Sequence, residues 1–523
     1  MPDHRQDEFA TNNGATRSIW MAAGKIASRG PLVGDVRADV CIVGAGIAGL
    51  TIAYRMAKPG RKIVVLDDGP IAGGESCRTT AHLSNAFDDR YVELERVHGE
   101  DAAHLAAESH TAAIDEIERI VTLERIDCQF ERLDGYLFDP QRDYELLTQE
   151  LEAAQRAGIA VELVERAPIA FDTGRAIRFP RQGQFHILSY LRGLASAAAR
   201  NGAWIHEGTH VTAVEAGHPA GVVTAGGPVV SADAVVIATN TPVIDRVAMH
   251  TKQAAYRTYV VAGRIPEDSV PHLLLWDTSD PYHYVRMQRG NGGFDYLIVG
   301  GEDHRTGDAD DMAERHDRLI AWTRACFPQV RDFPYCWSGQ VMEPVDGLAF
   351  IGVNPGSDDN LLIVTGDSGQ GMTHGTVAGL LIPDLIEGRQ NPWAAVYDPA
   401  RKSLRSAGTF AHENLKVAGH YAEHATKSDV DQISDIMPGE GAVMRQGLRK
   451  LALYRDPSGQ LHVLSATCPH LGCIVHWNSG EKSWDCPCHG SRFHALGEVV
   501  NGPANTGLAK AELGSERRSG AAQ

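Results

Sequence analysis

The chain has little with which to cross a membrane or grip a nucleic acid. No stretch reaches the run of about eighteen uncharged apolar residues that a spanning helix needs, and MPDHRQDEFATNNGATRSIW has no basic region followed by an apolar one. Basic residues are the minority, 49 Lys and Arg against 67 Asp and Glu, and both signs are mixed along the chain. That excludes the basic face which phosphate backbones demand. The reading is a soluble, cytoplasmic protein with no nucleic-acid partner and no membrane span. Internal repeats and low-complexity segments are also missing, as is a second GxGxxG, so the plan in which a separate NAD(P)H domain reduces a flavin domain is disfavoured. Cysteine is sparse at nine. Five (Cys41, Cys77, Cys128, Cys326, Cys336) are scattered as buried thiols would be, and the other four crowd between Cys468 and Cys488, which suggests a metal.

What is present is enough for several cores. At roughly 150 residues per domain the 523 residues predict about three folded units. From Asp39 the pattern runs strand (VCIV), glycine turn (GAGIAG), apolar helix (LTIAYRMA) and strand (KIVVLDD), a βαβ opening. Helices are predicted over Asp101 to Leu123 and Tyr144 to Ala157. Strands dominate Ala203–Ala238 and Tyr256–Gly301, and LLIVTGDSGQGMTHGTVAGLLIPDLI reads as strand, loop, helix. The chain therefore leaves and re-enters its nucleotide-binding part. A polar, helix-permissive stretch between Asp398 and Asp429 reads as a linker, and short strands follow it, with Pro457-Ser458-Gly459 supplying a hairpin turn.

Near the C-terminus CPHLGC and CPCHGS each offer one thiolate and one imidazole. Cys468 and His470 with Cys486 and His489 suit two irons, one held by sulfur and one by nitrogen. Two Cys and two His would also satisfy zinc. Against zinc stand the C-x-H and C-x-x-H spacings, the extra cysteine of each loop, and glycines where backbone must approach bridging sulfides. With Gly502-Pro503-Ala504 further on, the last ninety or so residues resemble Rieske [2Fe–2S] proteins. In the disulfide-containing branch of that family the spare cysteines pair, which implies a bond between Cys473 and Cys488. Quinol-oxidising members have a serine and a tyrosine after the second loop that donate to cluster sulfurs. Ser491 fits, but Phe493 replaces the tyrosine, and the lost donor should lower the potential.

Gly44, Gly46 and Gly49 follow a strand and open a helix, so backbone can approach a pyrophosphate at the positive helix end, with Asp67 at about the twenty-residue offset of a ribose-binding acid. This motif alone does not separate FAD from NAD. Gly73–Ser76 with Thr79–Ala81, the strand AVVIATN, Trp337, Pro344–Gly347, Ile351-Gly352, TGDSGQGMTHG and Asp398–Arg401 together resemble the glycine oxidase and D-amino-acid oxidase-like flavoproteins, over about Ala38 to Arg401. The resemblance implies FAD as cofactor. Ser76, Thr79, Thr80 and Ala81 would line its ribityl and diphosphate, Val211 would meet adenine, and Gly369, Gly371, Met372 and Thr373 would face the pyrimidine edge. Asp67 stands where the family more often has Glu. The whole chain resembles bacterial flavin/Rieske fusion oxidoreductases. The implied fold is an α/β FAD-binding Rossmann-like domain (about 38–90, 185–245 and 338–400) with an interleaved α+β substrate domain (about 91–184 and 246–337). An N-terminal extension (1–37), a linker (401–428) and a small all-β Rieske domain (429–515) complete it.

In that family substrate sits between the flavin and the β-rich part. Alternation puts Tyr282, Tyr284 and Arg286 on one strand face, where Arg286 could clamp a carboxylate; an exposed face with a surface ion pair is the plainer alternative. His374 and His82 are further candidates, or are satisfied by neighbouring backbone, and Cys77 raises covalent flavin attachment. FAD takes two electrons and the cluster carries one. The expected enzyme is an FAD-dependent oxidoreductase that oxidises a small molecule, such as an amine or amino acid, by hydride transfer. It would exchange electrons through the cluster with an external acceptor or donor, protein or quinone. The alternatives are a cluster-fed flavin reductase or oxygen-dependent enzyme, and a non-catalytic redox sensor, which burial of Arg286 and the tyrosines away from the flavin would favour. A Rieske oxygenase is disfavoured, since no 2-His-1-carboxylate iron site is evident.

Overall fold

The computed structural model describes residues 13–243, 249–309, 311–402, 405, 407–420, 423, 424 and 428–513. The first twelve residues of the expected extension, parts of the linker, and 244–248, 514 and 515 lie outside the described residues.

Two large sheets carry the first four hundred residues. In one, the strands run in the order Phe350–Val353, Leu361–Thr365, Val229–Asn240, Val36–Val43, Ile63–Leu66 and Trp204–His206. The five from Leu361–Thr365 to Trp204–His206 are parallel and the Phe350–Val353 edge is antiparallel. Their near-continuous apolar runs reflect burial on both faces. Ile63–Leu66 is buried throughout, and the helices Ile47–Met56, Ile187–Arg200 and Gly371–Ile386 cover the sheet with apolar faces. Asp143 starts the helix Tyr144–Arg156 by accepting from the N–H groups of Glu145 and Leu146 at 3.1 and 3.2 Å.

The second sheet has nine strands, ordered Tyr335–Pro344, Gln253–Pro266, Phe294–Arg305, His283–Arg289, Leu274–Asp277, Glu131–Phe138, Ala176–Gln184 and His82–Leu83, with Glu162–Val164 alongside Ala176–Gln184. His82–Leu83 comes from a stretch expected in the flavin part, and Tyr335–Pro344 runs across the expected boundary at 337/338. The helix Glu100–Glu124 packs against Gly371–Ile386 and Ile187–Arg200, helices of the flavin part, although it was expected with the second sheet.

After the linker, which holds the helix Ala407–His420, two small antiparallel sheets form the C-terminal all-β domain. One is Glu440–Gln446, Arg449–Arg455 and Leu461–Ser465, turned at Pro457–Gly459 as expected. The other is His476–Asn478, Ser483–Asp485, Arg492–His494 and Val499–Asn501. This domain does not hang free. Glu481, fully buried, accepts from Arg78 (3.1 Å), Arg257 (3.4 Å), Ser338 and the Thr16 hydroxyl. Asn13 bridges Arg492 and Glu75 at 2.7 Å each. Ser18 and Trp20 donate to the carbonyls of Cys77 and Thr79. The expected extension is thus a strap that fastens the last domain to the first.

Candidate active site and redox centres

A cavity of about 290 Å³ runs along the C-terminal ends of the parallel strands and under the second sheet. Gly44 leaves its strand at φ +104°, where a Cβ would collide with the Ala238 carbonyl; on Gly49 a Cβ would strike the Gly44 carbonyl. Backbone alone fits here, beside the N-terminus of Ile47–Met56, and the Ser76 hydroxyl accepts from the Ile47 N–H at 3.1 Å. Asp67 accepts from the N–H groups of Ala45 (2.7 Å) and Gly69 (3.0 Å), so its short carboxylate ties the glycine loop to the next turn. Burial and the neighbouring Asp68 push it up to about 7. At the other end, Gly369 (φ +71°) and Gln370 lead into the helix Gly371–Ile386, whose first residues line the cavity.

Gly44, Gly46, Asp67, Ser76, Thr79, Thr80, Val211, Gly369, Gly371, Met372 and Thr373 all line this one cavity. Gly49 supports the loop from beneath, and Ala81 lies behind the wall with its carbonyl accepting from Arg286. A glycine cradle at one helix N-terminus, a second helix N-terminus at the far end, and a long groove between them fit FAD. Cys77 is fully buried, its Sγ directed to the carbonyls of Gly73 and Gly74 (3.5 and 3.1 Å), and it is not in the lining.

The second sheet supplies the roof. Tyr282 and Tyr284 both face the cavity, their hydroxyls meeting Asp303 (3.3 Å) and Thr258 (2.7 Å). Gly300 makes room for the Tyr284 ring and Gly135 for Trp276, since a Cβ at either would collide with the ring. The carboxylate clamp expected of Arg286 is not what the structure builds. Its guanidinium donates to the carbonyls of Thr80, Ala81 and Phe185 (2.9–3.1 Å) and to Gln288, and is only 1% exposed. Alternation fixed the face correctly; the long side chain then turned to buried carbonyls that needed a donor. His82 lies on the wall with both nitrogens engaged, by Thr80 (3.0 Å) and the Val285 carbonyl (3.3 Å), and burial with Arg286 nearby pushes it down to about 3. His374 joins its Nδ1 to the Asp367 carbonyl at 2.8 Å, its ring 4.4 Å from that of His110, and burial lowers it to about 4.

Several lining residues were not foreseen: Asp68, Glu75, Asp88, Thr258, Trp276 and Gln340. Val499, Val500, Asn501, Gly502 and Ala504 of the C-terminal domain also form part of the cavity wall. Only GPA among these carried a sequence signal.

The two cluster loops have the same local conformation. In each, the first cysteine's N–H donates five residues ahead (Cys468 to Cys473 O, Cys486 to Ser491 O, 2.8 Å), and the glycine at the fifth position, Gly472 or Gly490, returns to that cysteine's carbonyl at 3.0 Å. Both glycines have positive φ. Cys468 and Cys486 face each other. The N–H groups of His470 and Leu471 with the Ser491 hydroxyl approach one sulfur, and those of Cys488 and His489 the other. The His470 and His489 rings stand 5.0 Å apart. Cys473 and Cys488 are joined by a disulfide. Two paired sulfurs, two paired imidazoles and N–H groups directed at sulfur fit a [2Fe–2S] centre.

The cluster loops press on the flavin part. Gln340 lines the cavity and donates from Nε2 to the Gly490 carbonyl at 3.0 Å, one residue from His489. Arg305 donates to the carbonyls of Pro487 (3.2 Å) and Cys488 (3.3 Å). The ring of His250 sits 4.9 Å from that of His470 and 6.0 Å from that of His489.

Comparison with known proteins agrees with this geometry. The DAO family, described as FAD dependent oxidoreductase, matches residues 39–385, and the Rieske [2Fe-2S] domain family matches 426–512. A Rieske 2Fe-2S iron-sulfur protein of Bacillus subtilis (strain 168), YhfW, is 32% identical over 95% of this chain and 98% of its own. Gamma-glutamylputrescine oxidoreductase of Escherichia coli (strain K12) is 28% identical over 71% of this chain and 89% of its own. Glycine oxidase from Geobacillus kaustophilus shares the fold at TM-score 0.57 and 22% identity, over 70% of this chain and 99% of that one. Among the described residues no helix is long and apolar enough to cross a membrane.

Proposed function

We propose, from the premise that the chain belongs to the DAO family of FAD-dependent oxidoreductases and ends in a Rieske [2Fe–2S] domain, that it oxidises a small amine or amino acid at FAD and sends the electrons out through its own docked cluster. FAD, once bound, accepts a hydride from the carbon beside nitrogen, and the cluster carries one electron at a time.

The observation that carries this reading is Gln340. One side chain lines the flavin cavity and hydrogen-bonds the backbone beside a cluster ligand, so the two redox sites share a wall and no domain swing is needed to connect them. The strap through Asn13 and the buried Glu481 hold that wall together. Tyr282, Tyr284, Thr258 and Trp276 leave a substrate chamber over the expected flavin face, which supports catalysis over a sensing role. The relative of B. subtilis unites both domains, and the E. coli relative is named for an amine substrate.

The test is anaerobic stopped-flow spectroscopy of the holoenzyme with a panel of amines and amino acids, following flavin and cluster bands separately. Flavin reduction followed by cluster reduction is expected. Flavin reduction with a cluster that stays oxidised would refute the exit route, and a cluster that reduces first from an external donor would reverse its direction.

A further inference from the structure

The charges around the chamber point to what it accepts. Among the described residues that line the main cavity the only Lys or Arg is Arg78, and it is engaged elsewhere, with its side chain fully buried and donating to Glu481, the Ser338 carbonyl and Thr16. Arg286 is turned away, as described above. Facing the chamber are Asp88 and Asp367, with Asp303 behind Tyr282 and Glu343 close by. Asp88 lines the cavity, and its side chain is accessible there. Desolvation by the surrounding protein and repulsion from Asp89, Asp303 and Asp367 push it up to about 8. Such a wall repels a substrate carboxylate, and a cation placed within it relieves the repulsion.

The aromatic lining points the same way. Trp276, Tyr282 and Tyr284 add aromatic faces of the kind that attract ammonium groups. Beyond them lies an annex of about 100 Å³, which shares Ala86, Asp88, Trp276 and Tyr282 with the main cavity; Phe87, Leu137 and Phe179 line it together with Arg90, Glu150, Asp277, Thr278 and Ser279. Its apolar wall suits a carbon chain and its polar wall a far end that hydrogen-bonds.

Resting on the proposed oxidation at FAD, we infer that the substrate is an alkyl amine with no carboxylate on its reacting carbon, its ammonium held between Asp88 and the Tyr282–Asp303 pair and its chain running past Trp276 into the annex. Hydride can leave only from the neutral amine. The ammonium R–CH2–NH3+ first gives a proton to a carboxylate of this wall, and R–CH2–NH2 then becomes R–CH=NH2+ as the hydride, with its two electrons, passes to the flavin.

Anaerobic titration of the holoenzyme with butylamine, 1,4-diaminobutane, alanine and proline, read as the flavin difference spectrum, tests this by binding alone. The amines should bind at least about tenfold tighter than the amino acids, and Asp88→Asn and Asp303→Asn should each weaken the amines by about tenfold and leave the amino acids unchanged. Amino acids that bind as tightly as the amines, or amine binding unaltered in both variants, would overturn the inference. Amines that bind tightly without reducing the flavin would refute the oxidation while upholding the ligand class. Flavin reduction by alanine would do the reverse.

Discussion

Replacing Glu481 by glutamine removes one negative charge from a place where two positive charges depend on it. The side chains of Glu481, Arg78 and Arg257 are 2%, 0% and 1% exposed, so water cannot stand in for the lost partner. Removing one member of a buried pair typically costs about 3–5 kcal/mol, because the remaining charge is left uncompensated. Since the pair joins the C-terminal domain to the flavin part, that cost falls on docking, a shift of between about a hundredfold and several thousandfold in the docking equilibrium. Urea unfolding followed separately by cluster circular dichroism and flavin fluorescence should then split from one transition into two, with proteolysis between residues 402 and 428 accelerated. The pH dependence follows from the same group. Arg78, Arg257 and Arg492 hold the Glu481 carboxylate far below its ordinary value of 4.5 against the opposing effect of burial. Its contribution is therefore complete above about pH 4.5 and is lost as pH falls below that. E481Q should flatten the acid limb of the stability curve. A midpoint within about 1 kcal/mol of the parent, with the acid limb unchanged, would refute the reasoning.

Other outcomes are expected from single positions. Gly49→Ala drives a Cβ into the Gly44 carbonyl, an overpacking cost of about 1–3 kcal/mol, and the purified protein should carry less flavin per chain with its cluster content unchanged. Gln340→Met removes the donor to the Gly490 carbonyl; flavin-to-cluster transfer in stopped flow should slow while both midpoint potentials stay put. Phe493→Tyr adds a hydroxyl at a fully buried ring beside the cluster loops, and redox titration should find a higher cluster potential. An unchanged or lower one would mean the hydroxyl does not reach sulfur.

The parts legible in the sequence were those set by local rules. Cys468, His470, Cys486 and His489 are spaced by the loop that holds them, and Gly44 and Gly49 are glycines because carbonyls occupy the space a Cβ would take. What stayed hidden depends on partners far along the chain. Glu481 sits in SGEKS, which reads as a solvated turn, yet its partners are Thr16, Arg78, Arg257 and Ser338. Asp88 looks like a surface carboxylate until the fold places its turn in the cavity wall, and Asp303 does so until the second sheet sets it against the Tyr282 hydroxyl. Arg286 illustrates the limit in the other direction: period-two alternation assigns a face, but where a long guanidinium ends is decided by unpaired carbonyls at 80, 81 and 185.

Val499–Gly502 and Ala504 form one side of the groove that fits FAD, and Asn13 fastens their domain by bridging Arg492 and Glu75. The wall of the nucleotide site is therefore shared between two domains. An opening that frees this side has to part the surfaces that also bring the cluster loops against Gln340, so access to the nucleotide and continuity of the electron route oppose each other.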